Sequence, residues 1–250
     1  MINTIFEHRT IRKFKQTPIE NSILDSILNA AIRASNTGNM QVYSIIVTKN
    51  PEIKNKLWEQ HFKQEMVKQA PIILTFCADF NRFNKWCESR NAIPGYDNFL
   101  SFFTGSVDAV IAAQNATLEA ESNGLGVCYL GTTNYNAEKI IEILNLPKGV
   151  VPVTTLVLGY PDEKPDLTPR LPQNAVVHYE TYTDFSKQSI NEIYFETENS
   201  EFTKQLIVEN KTENLAQIFT QKRYTKNNNI YFSKSLLDVL KQQNFMNNEA

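Results

Sequence analysis

Glycine and cysteine are scarce in this chain, at 8 and 3 of its 250 residues. Neither glycine-rich phosphate cradle is present: there is no G-x-G-x-x-G and no G-x-x-x-x-G-K-[ST]. A G-x-S-x-G nucleophile elbow is also missing. Cys77, Cys87 and Cys128 form no C-x-x-C pair. So sparse and odd a set fits a reducing compartment better than a disulfide framework. His8, His61 and His178 stand far apart and no H-E-x-x-H occurs, so no metal site is expected. Neither sign of charge dominates. With 25 basic and 27 acidic residues, net −2, broad attraction to nucleic acid or to an anionic membrane is not expected. No run reaches the roughly 18 apolar residues of a spanning helix. The opening MINTIFEHRTIRKF lacks the long apolar stretch of a signal peptide. These absences lead to the expectation of a soluble, cytoplasmic protein.

What is present is ordinary globular composition, 42% hydrophobic and 21% charged, enough for a real core in one large domain or two small ones. Ile2, Ile5 and Phe6 have the spacing of a short amphipathic helix. Thr17-Pro18-Ile19-Glu20 reads as a helix start with a capping box, followed by an apolar stripe from Ile23 to Ala31 and a turn over Ser35–Asn39. Strands are expected at 44–48, 72–78, 127–130 and 153–159, the second apolar enough to be central and covered on both faces. One helix is expected from Asn50-Pro51 to about Gln69, another over 136–144, and a loop or short helix over 81–98. The longest helix candidate is 99–123. Alanines at 109, 112, 113, 116 and 120 spread its apolar character around the axis, which predicts deep burial and requires a partner for Glu121. Helices alternate with strands, and few glycines with one very apolar helix point to a sheet packed around that helix. The proline-rich 161–172 reads as an extended loop. Beyond Tyr182 the chain turns polar, with weaker helical stripes at 186–207, 213–222 and 233–246. The expected division is a core over 1–183 and a helical extension over 184–250, too thin to hold its own core.

Three clusters carry chemistry. In His8-Arg9-Thr10-Ile11-Arg12, Arg9 and Arg12 are three apart and would share a face of a helix or turn. Two guanidiniums, a hydroxyl and a ring N–H suit a phosphate. On spacing alone, a solvated basic turn accounts for them too. In Thr168-Pro169-Arg170-Leu171-Pro172 the prolines would pre-position Arg170 for the same anion, or simply stiffen a connector. The glycines around Val127–Leu130, ending in Gly131, would let backbone approach a flat ligand, or mark a plain turn.

HRTIRKF, CADFNR, QNATLEAESNGLGVCYLG and LGYPDEKPDLTPRLP, in this order, resemble the FMN-dependent nitroreductase superfamily over about residues 5–182. The closer resemblance is to its branch of NADPH-dependent flavin reductases and oxygen-insensitive nitroreductases. It implies an α+β fold, with a mixed or antiparallel sheet around a central apolar helix, and an intertwined homodimer with FMN at the subunit interface. It also implies ping-pong hydride transfer from NADPH or NADH through FMN to a nitroaromatic, quinone or flavin acceptor. No catalytic side chain is implied, because the cofactor does the chemistry. His8, Arg9, Thr10 and Arg12 match the first FMN segment, Arg9 and Thr10 toward the phosphate and Arg12 toward the ring. Ser35, Asn36 and Thr37 match a serine-rich flavin loop, and Gln64 a glutamine on the ring. Tyr129, Leu130 and Gly131 match the strand end beside the ring, and Arg170 a phosphate arginine. Thr168 stands where well-known members carry lysine, which removes a charge near the cofactor. The stretch 208–214 has one lysine between two glutamates where those members grip the NADPH 2′-phosphate, so either nicotinamide remains open, and Lys222-Arg223 is a further basic pair. These departures motivate an alternative: a flavin-binding or storage protein with little turnover.

Overall fold

The computed structural model describes residues 3–247. The chain forms two compact units. One comprises the chain up to Asp166 together with the segment from Phe232, the other Leu167–Tyr231.

The first unit is built on a four-stranded antiparallel sheet of β1 (Tyr43–Thr48), β2 (Ile72–Asp79), β3 (Gly126–Leu130) and β4 (Val150–Gly159), in the order β1-β2-β4-β3. As expected of a central strand, all eight residues of β2 are buried. Pro152 is tolerated in β4 because β3 pairs only from Thr155 onward, leaving an edge where no ladder N–H is needed. Helices α1 (Asn3–Glu7), α2 (Asn21–Ile32), α3 (Pro51–Gln60), α4 (Glu65–Gln69), α5 (Asn81–Glu88), α6 (Phe99–Ser122) and α7 (Ala137–Leu144) complete the unit, with the C-terminal part of α11 (Lys226–Gln242). Against one sheet face, α2 and the alanines of α6 build a core with Leu74, Phe76 and Leu156. Against the other, Leu57, Met66, Val67 and Ile140 pack on Ile73 and Val157. A third cluster joins Phe80 and Val151 to Val239, Leu240 and Phe245. Gly105 lets α6 lie directly on the sheet: a Cβ there would meet the Val42 carbonyl at 2.9 Å.

Several sequence expectations need correction. The second helix starts at Asn21, not at Thr17-Pro18, and no capping box forms, because Ile19 is drawn into the core on an extended lead-in. The helix expected through Gln69 breaks at His61, where Phe62 and Lys63 take left-handed φ of 53° and 55°. Helix α6 is buried on its alanine face only. Leu100, Phe103, Val107, Val110 and Ile111 leave an exposed apolar stripe at helical spacing. In α1, Ile5 and Phe6 are likewise exposed, and Ile2 lies outside the described residues.

The second unit is helical: α8 (Lys187–Asn199), α9 (Glu201–Asn210), α10 (Leu215–Gln217), a π-helical turn over Ile218–Arg223 and the start of α11. Serines cap it, Ser186 accepting from Ser189 N and Ser200 from Thr203 N. Among its residues only Thr203 and Ile218 are buried. No helix among the described residues is long and apolar enough to cross a membrane.

Candidate functional site

After α1 the chain runs along the sheet beside β3. Thr10 bridges Val127 in parallel, Ile11 N–H donates to the Val127 carbonyl at 2.9 Å, and Phe14 bridges Pro161. Ile11 and Phe14 are buried and pin this course. It depends on Gly126, where a Cβ would stand 2.5 Å from Ile11 Cγ1. An extended course separates what a helix would align. Arg9 and Arg12 therefore do not share a face: Arg9 Nε is buried, while Arg12 is exposed. The backbone N–H groups of Arg12 and Lys13 donate to Glu163 Oε1 at 2.5 and 3.0 Å, which ties this segment to the start of the proline-rich loop.

His8 Nδ1 lies 2.6 Å from Glu121 Oε1 at the end of α6. The partner that burial demanded of Glu121 is thus found, with the carboxylate side chain 11% exposed and its Oε2 left without a partner. Burial raises the Glu121 carboxyl above the usual range, and the bond to His8 opposes the rise. On β3 the Tyr129 hydroxyl donates to Gln114 Oε1 at 3.3 Å and lies 3.1 Å from Thr117 Oγ1. Burial raises Tyr129 as well. Leu130 is buried. Gly131 is exposed, with open space where a Cβ would stand.

Gln64 is half-buried at the N-terminus of α4. Its Nε2 donates to the His61 carbonyl at 3.0 Å and to Thr132 Oγ1 at 3.4 Å. His61 Nδ1 lies 2.8 Å from the same hydroxyl. Fully buried, His61 has its pKa pushed down to about 4 by desolvation, and its Nε2 has no partner. The left-handed pair Phe62-Lys63 turns the chain so that Gln64 meets the 129–132 strand end. One chain therefore gathers His8, Arg9, Thr10, Tyr129, Leu130, Gly131 and Gln64 around β3.

The remaining candidates lie elsewhere. Thr37 N–H and Oγ1 both donate to Asp108 Oδ1, at 2.9 and 3.0 Å, so Ser35-Asn36-Thr37 sits at the middle of α6. From Asp108 to Glu121 is about 20 Å at the helical rise of 1.5 Å per residue. A single chain does not bring this loop to His8. Thr168 and Arg170 belong to the second unit, where the Arg170 guanidinium donates to the Thr168 carbonyl at 2.9 Å. Arg170 also lines a cavity of about 720 Å³ with His178, Tyr179, Phe185 and Glu192. Sequence reasoning missed Asp108, His61 and Thr132. The signal for Asp108 was an acid among alanines on an apolar helix, the same that singled out Glu121.

Among the described residues no group of three His, Cys, Asp or Glu could hold a metal ion. The arrangement instead pairs buried donors with a flat, open strand end. The nitroreductase family model matches residues 5–160. The chain belongs to the nitroreductase family. An FMN reductase [NAD(P)H] of Bacillus subtilis is 35% identical over 219 residues, 87% of this chain and 88% of that protein. Among solved structures, a Bacteroides fragilis protein superposes with a TM-score of 0.96 at 46% identity, over 98% of this chain and 100% of that one. The NADPH:FMN oxidoreductase of Vibrio harveyi, complexed with NAD+, superposes with a TM-score of 0.82 at 29% identity, over 98% and 97% of the two chains. The antiparallel sheet and the α6 layer are thus the nitroreductase fold.

Proposed function

We infer that this protein is an FMN-dependent NAD(P)H oxidoreductase that works as a homodimer on flavin, nitroaromatic or quinone acceptors. The observation that carries the cofactor reading is Arg9. Its Nε–H is buried with no acceptor, which is costly for a protein and is remedied by an anion's oxygen. The residues fit FMN in kind: a guanidinium, a ring N–H and a hydroxyl for the phosphate, and Tyr129, Leu130 and open Gly131 for a flat ring. His8, Arg9 and Thr10 would hold the phosphate end. Arg12, Gln64 and the 129–131 strand end would orient the ring. When bound, FMN supplies the two-electron chemistry, taking hydride from a nicotinamide and passing the electrons on. The chain's own part is to grip, orient and leave one face open, which suits the absence of any triad or acid–base motif.

The homodimer rests on α6. Its exposed apolar stripe runs from Leu100 to Ile111, past Asp108, which holds the Thr37 loop, and toward Glu121, which holds His8. A twofold axis near Gln114, midway between them, would carry the Ser35–Thr37 loop of each chain to the His8–Arg12 segment of the other. The second unit's many exposed apolar side chains, among them Phe195, Phe202 and Val208, give it a surface for wrapping a partner subunit. All three cysteines are free, which fits the cytoplasm.

The test is direct. The purified protein should be yellow and should oxidise NADH or NADPH when a quinone or nitrofuran is added. A colourless protein that takes up no added FMN overturns the reading. Bound FMN that is never reduced at a useful rate would leave only a storage role.

A further inference from the structure

We propose that Glu121 is a positioning residue for His8, fixing the proton on the ring's Nε2 so that this edge donates to the flavin phosphate. The inference rests on the phosphate reading of the His8–Thr10 segment given above. Glu121 touches no part of a site directly and reaches it only through the imidazole.

The geometry sets the roles. Glu121 Oε1 engages Nδ1 at 2.6 Å, short enough for a charge-assisted bond. The two ring nitrogens diverge, so a ring held at Nδ1 by α6 presents Nε2 away from that helix. One proton sits between Nδ1 and Oε1. With a protonated Glu121 donating to Nδ1 the ring's own proton is on Nε2, and with an imidazolium facing a carboxylate Nε2 again carries one, so in both Nε2 is a donor. The single arrangement that strips Nε2 is an ionised Glu121 facing a neutral ring. That form is disfavoured because the carboxylate is nearly buried, and its Oε2 has no donor to stabilise the charge. Burial does raise the Glu121 carboxyl, which works in the same direction. Tyr129, from β3, is the other titratable group that interacts with Glu121, and Arg9 is next along the chain from His8. The Tyr129 hydroxyl is engaged with Thr117 and Gln114, leaving His8 as the partner of the acid. A phosphate arriving at Nε2 then draws the shared proton toward Nδ1, and the ring's positive charge lies between two anions. No proton is gained or lost overall.

The experiment compares FMN with riboflavin, which lacks the phosphate, by fluorescence titration of the flavin-free full-length protein. In Glu121→Gln no acid proton remains to be shared, so FMN affinity should fall about tenfold, the scale of one charge-assisted bond. Riboflavin affinity should stay unchanged. His8→Asn keeps an amide in place of Nδ1 but removes Nε2, and should lose the same preference for FMN. The double variant should be no worse than His8→Asn alone. Equal weakening of both flavins by Glu121→Gln, or effects that multiply in the double variant, overturns the proposal and makes the acid merely structural. Should Glu121→Gln not fold, an unchanged FMN-to-riboflavin ratio in His8→Asn overturns it by itself. Arg9→Ala separates the two levels. If it loses the preference for FMN while His8→Asn keeps it, the phosphate reading stands and this proposal fails. If Arg9→Ala keeps the preference as well, the phosphate reading itself fails.

Discussion

Val110→Glu puts a carboxylate on the exposed stripe of α6, at the end nearer Gln114. Val110 is 47% exposed, and Leu100, Phe103, Val107 and Ile111 range from 37% to 71%. Fully burying such a side chain contributes about 1.5–3 kcal/mol, so covering the exposed half of each gives about 1 kcal/mol. In a twofold dimer each residue counts twice, and the stripe contributes about 10 kcal/mol. Association itself costs about 4–15 kcal/mol, so this contribution decides whether a dimer forms. Val110→Glu removes about 2 kcal/mol of it and adds two unpaired carboxylates at several kcal/mol each, comparable to the whole sum. In the isolated chain the new side chain meets water, so the fold should survive. Sedimentation velocity should find the wild type at twice the 28.7 kDa chain mass and the variant at the chain mass, with an unchanged circular dichroism spectrum. Bound FMN should be lost along with the dimer, because the Thr37 loop and His8 are about 20 Å apart along one α6. A Val110→Glu protein that sediments as a dimer and keeps its yellow colour would refute the placement of the axis. A monomeric variant that retains FMN would refute the shared site.

Arg9→Ala and Arg170→Ala should each weaken FMN retention by about 1.5–3 kcal/mol, read by equilibrium dialysis. Unchanged retention in both would remove the phosphate assignment. Glu121→Leu takes the partner from His8 Nδ1 but also removes the unpartnered Oε2, and water reaches His8, which is 29% exposed. Urea unfolding should therefore show a loss of about 1 kcal/mol, less than the 3–5 expected for a fully buried pair; a neutral result would mean that the 2.6 Å contact adds nothing to stability. His61 adds a pH dependence. Its pKa is about 4 when folded and about 6.5 when unfolded, so the unfolded state takes up the proton first as pH falls. Stability should be full above pH 7 and decline through pH 6.5 to 4, with about 2 kcal/mol lost by pH 5. His61→Gln should flatten that part of the urea-midpoint curve, and an unaltered curve would show that His61 is hydrated.

Where one residue pattern has one physical reading, the sequence spoke clearly. Strand β2, apolar at nearly every position, could only be a strand covered on both faces, and Asn50-Pro51 could only open a helix: Asn50 Oδ1 accepts from Glu52 N and Ile53 N. Local signals failed where a distant contact decided. Nothing near Thr17 reveals that Ile19 will be claimed by the core. The break after Gln60 is set by a buried imidazole bonded to Thr132, 71 residues away in sequence. The chemistry was legible as residue types, yet the spacing of Arg9 and Arg12 misled. Three residues mean one face in a helix and opposite sides in the extended course that Gly126 permits.

Helix α6 shows how a correct pattern can carry a wrong conclusion. Apolar residues all round its axis were read as burial all round. In the chain its sides divide by size. The alanines lie on the sheet because close approach favours small side chains there, as Gly105 shows at 2.9 Å from the Val42 carbonyl. The larger Leu100, Phe103, Val107, Val110 and Ile111 remain outside. A stripe of this length is not what a solitary chain presents to water. In the proposed dimer, the helix is apolar on both sides because each side would have something to cover, the chain's own sheet and a second copy of α6. Asp108 and Glu121, acids spaced along the same helix, hold the Thr37 loop and His8, the two segments that the proposed dimer would bring together. Burial, dimerisation and cofactor binding would then be carried by one element. A substitution on the outer face of α6 should reach the flavin without disturbing the fold of a single chain.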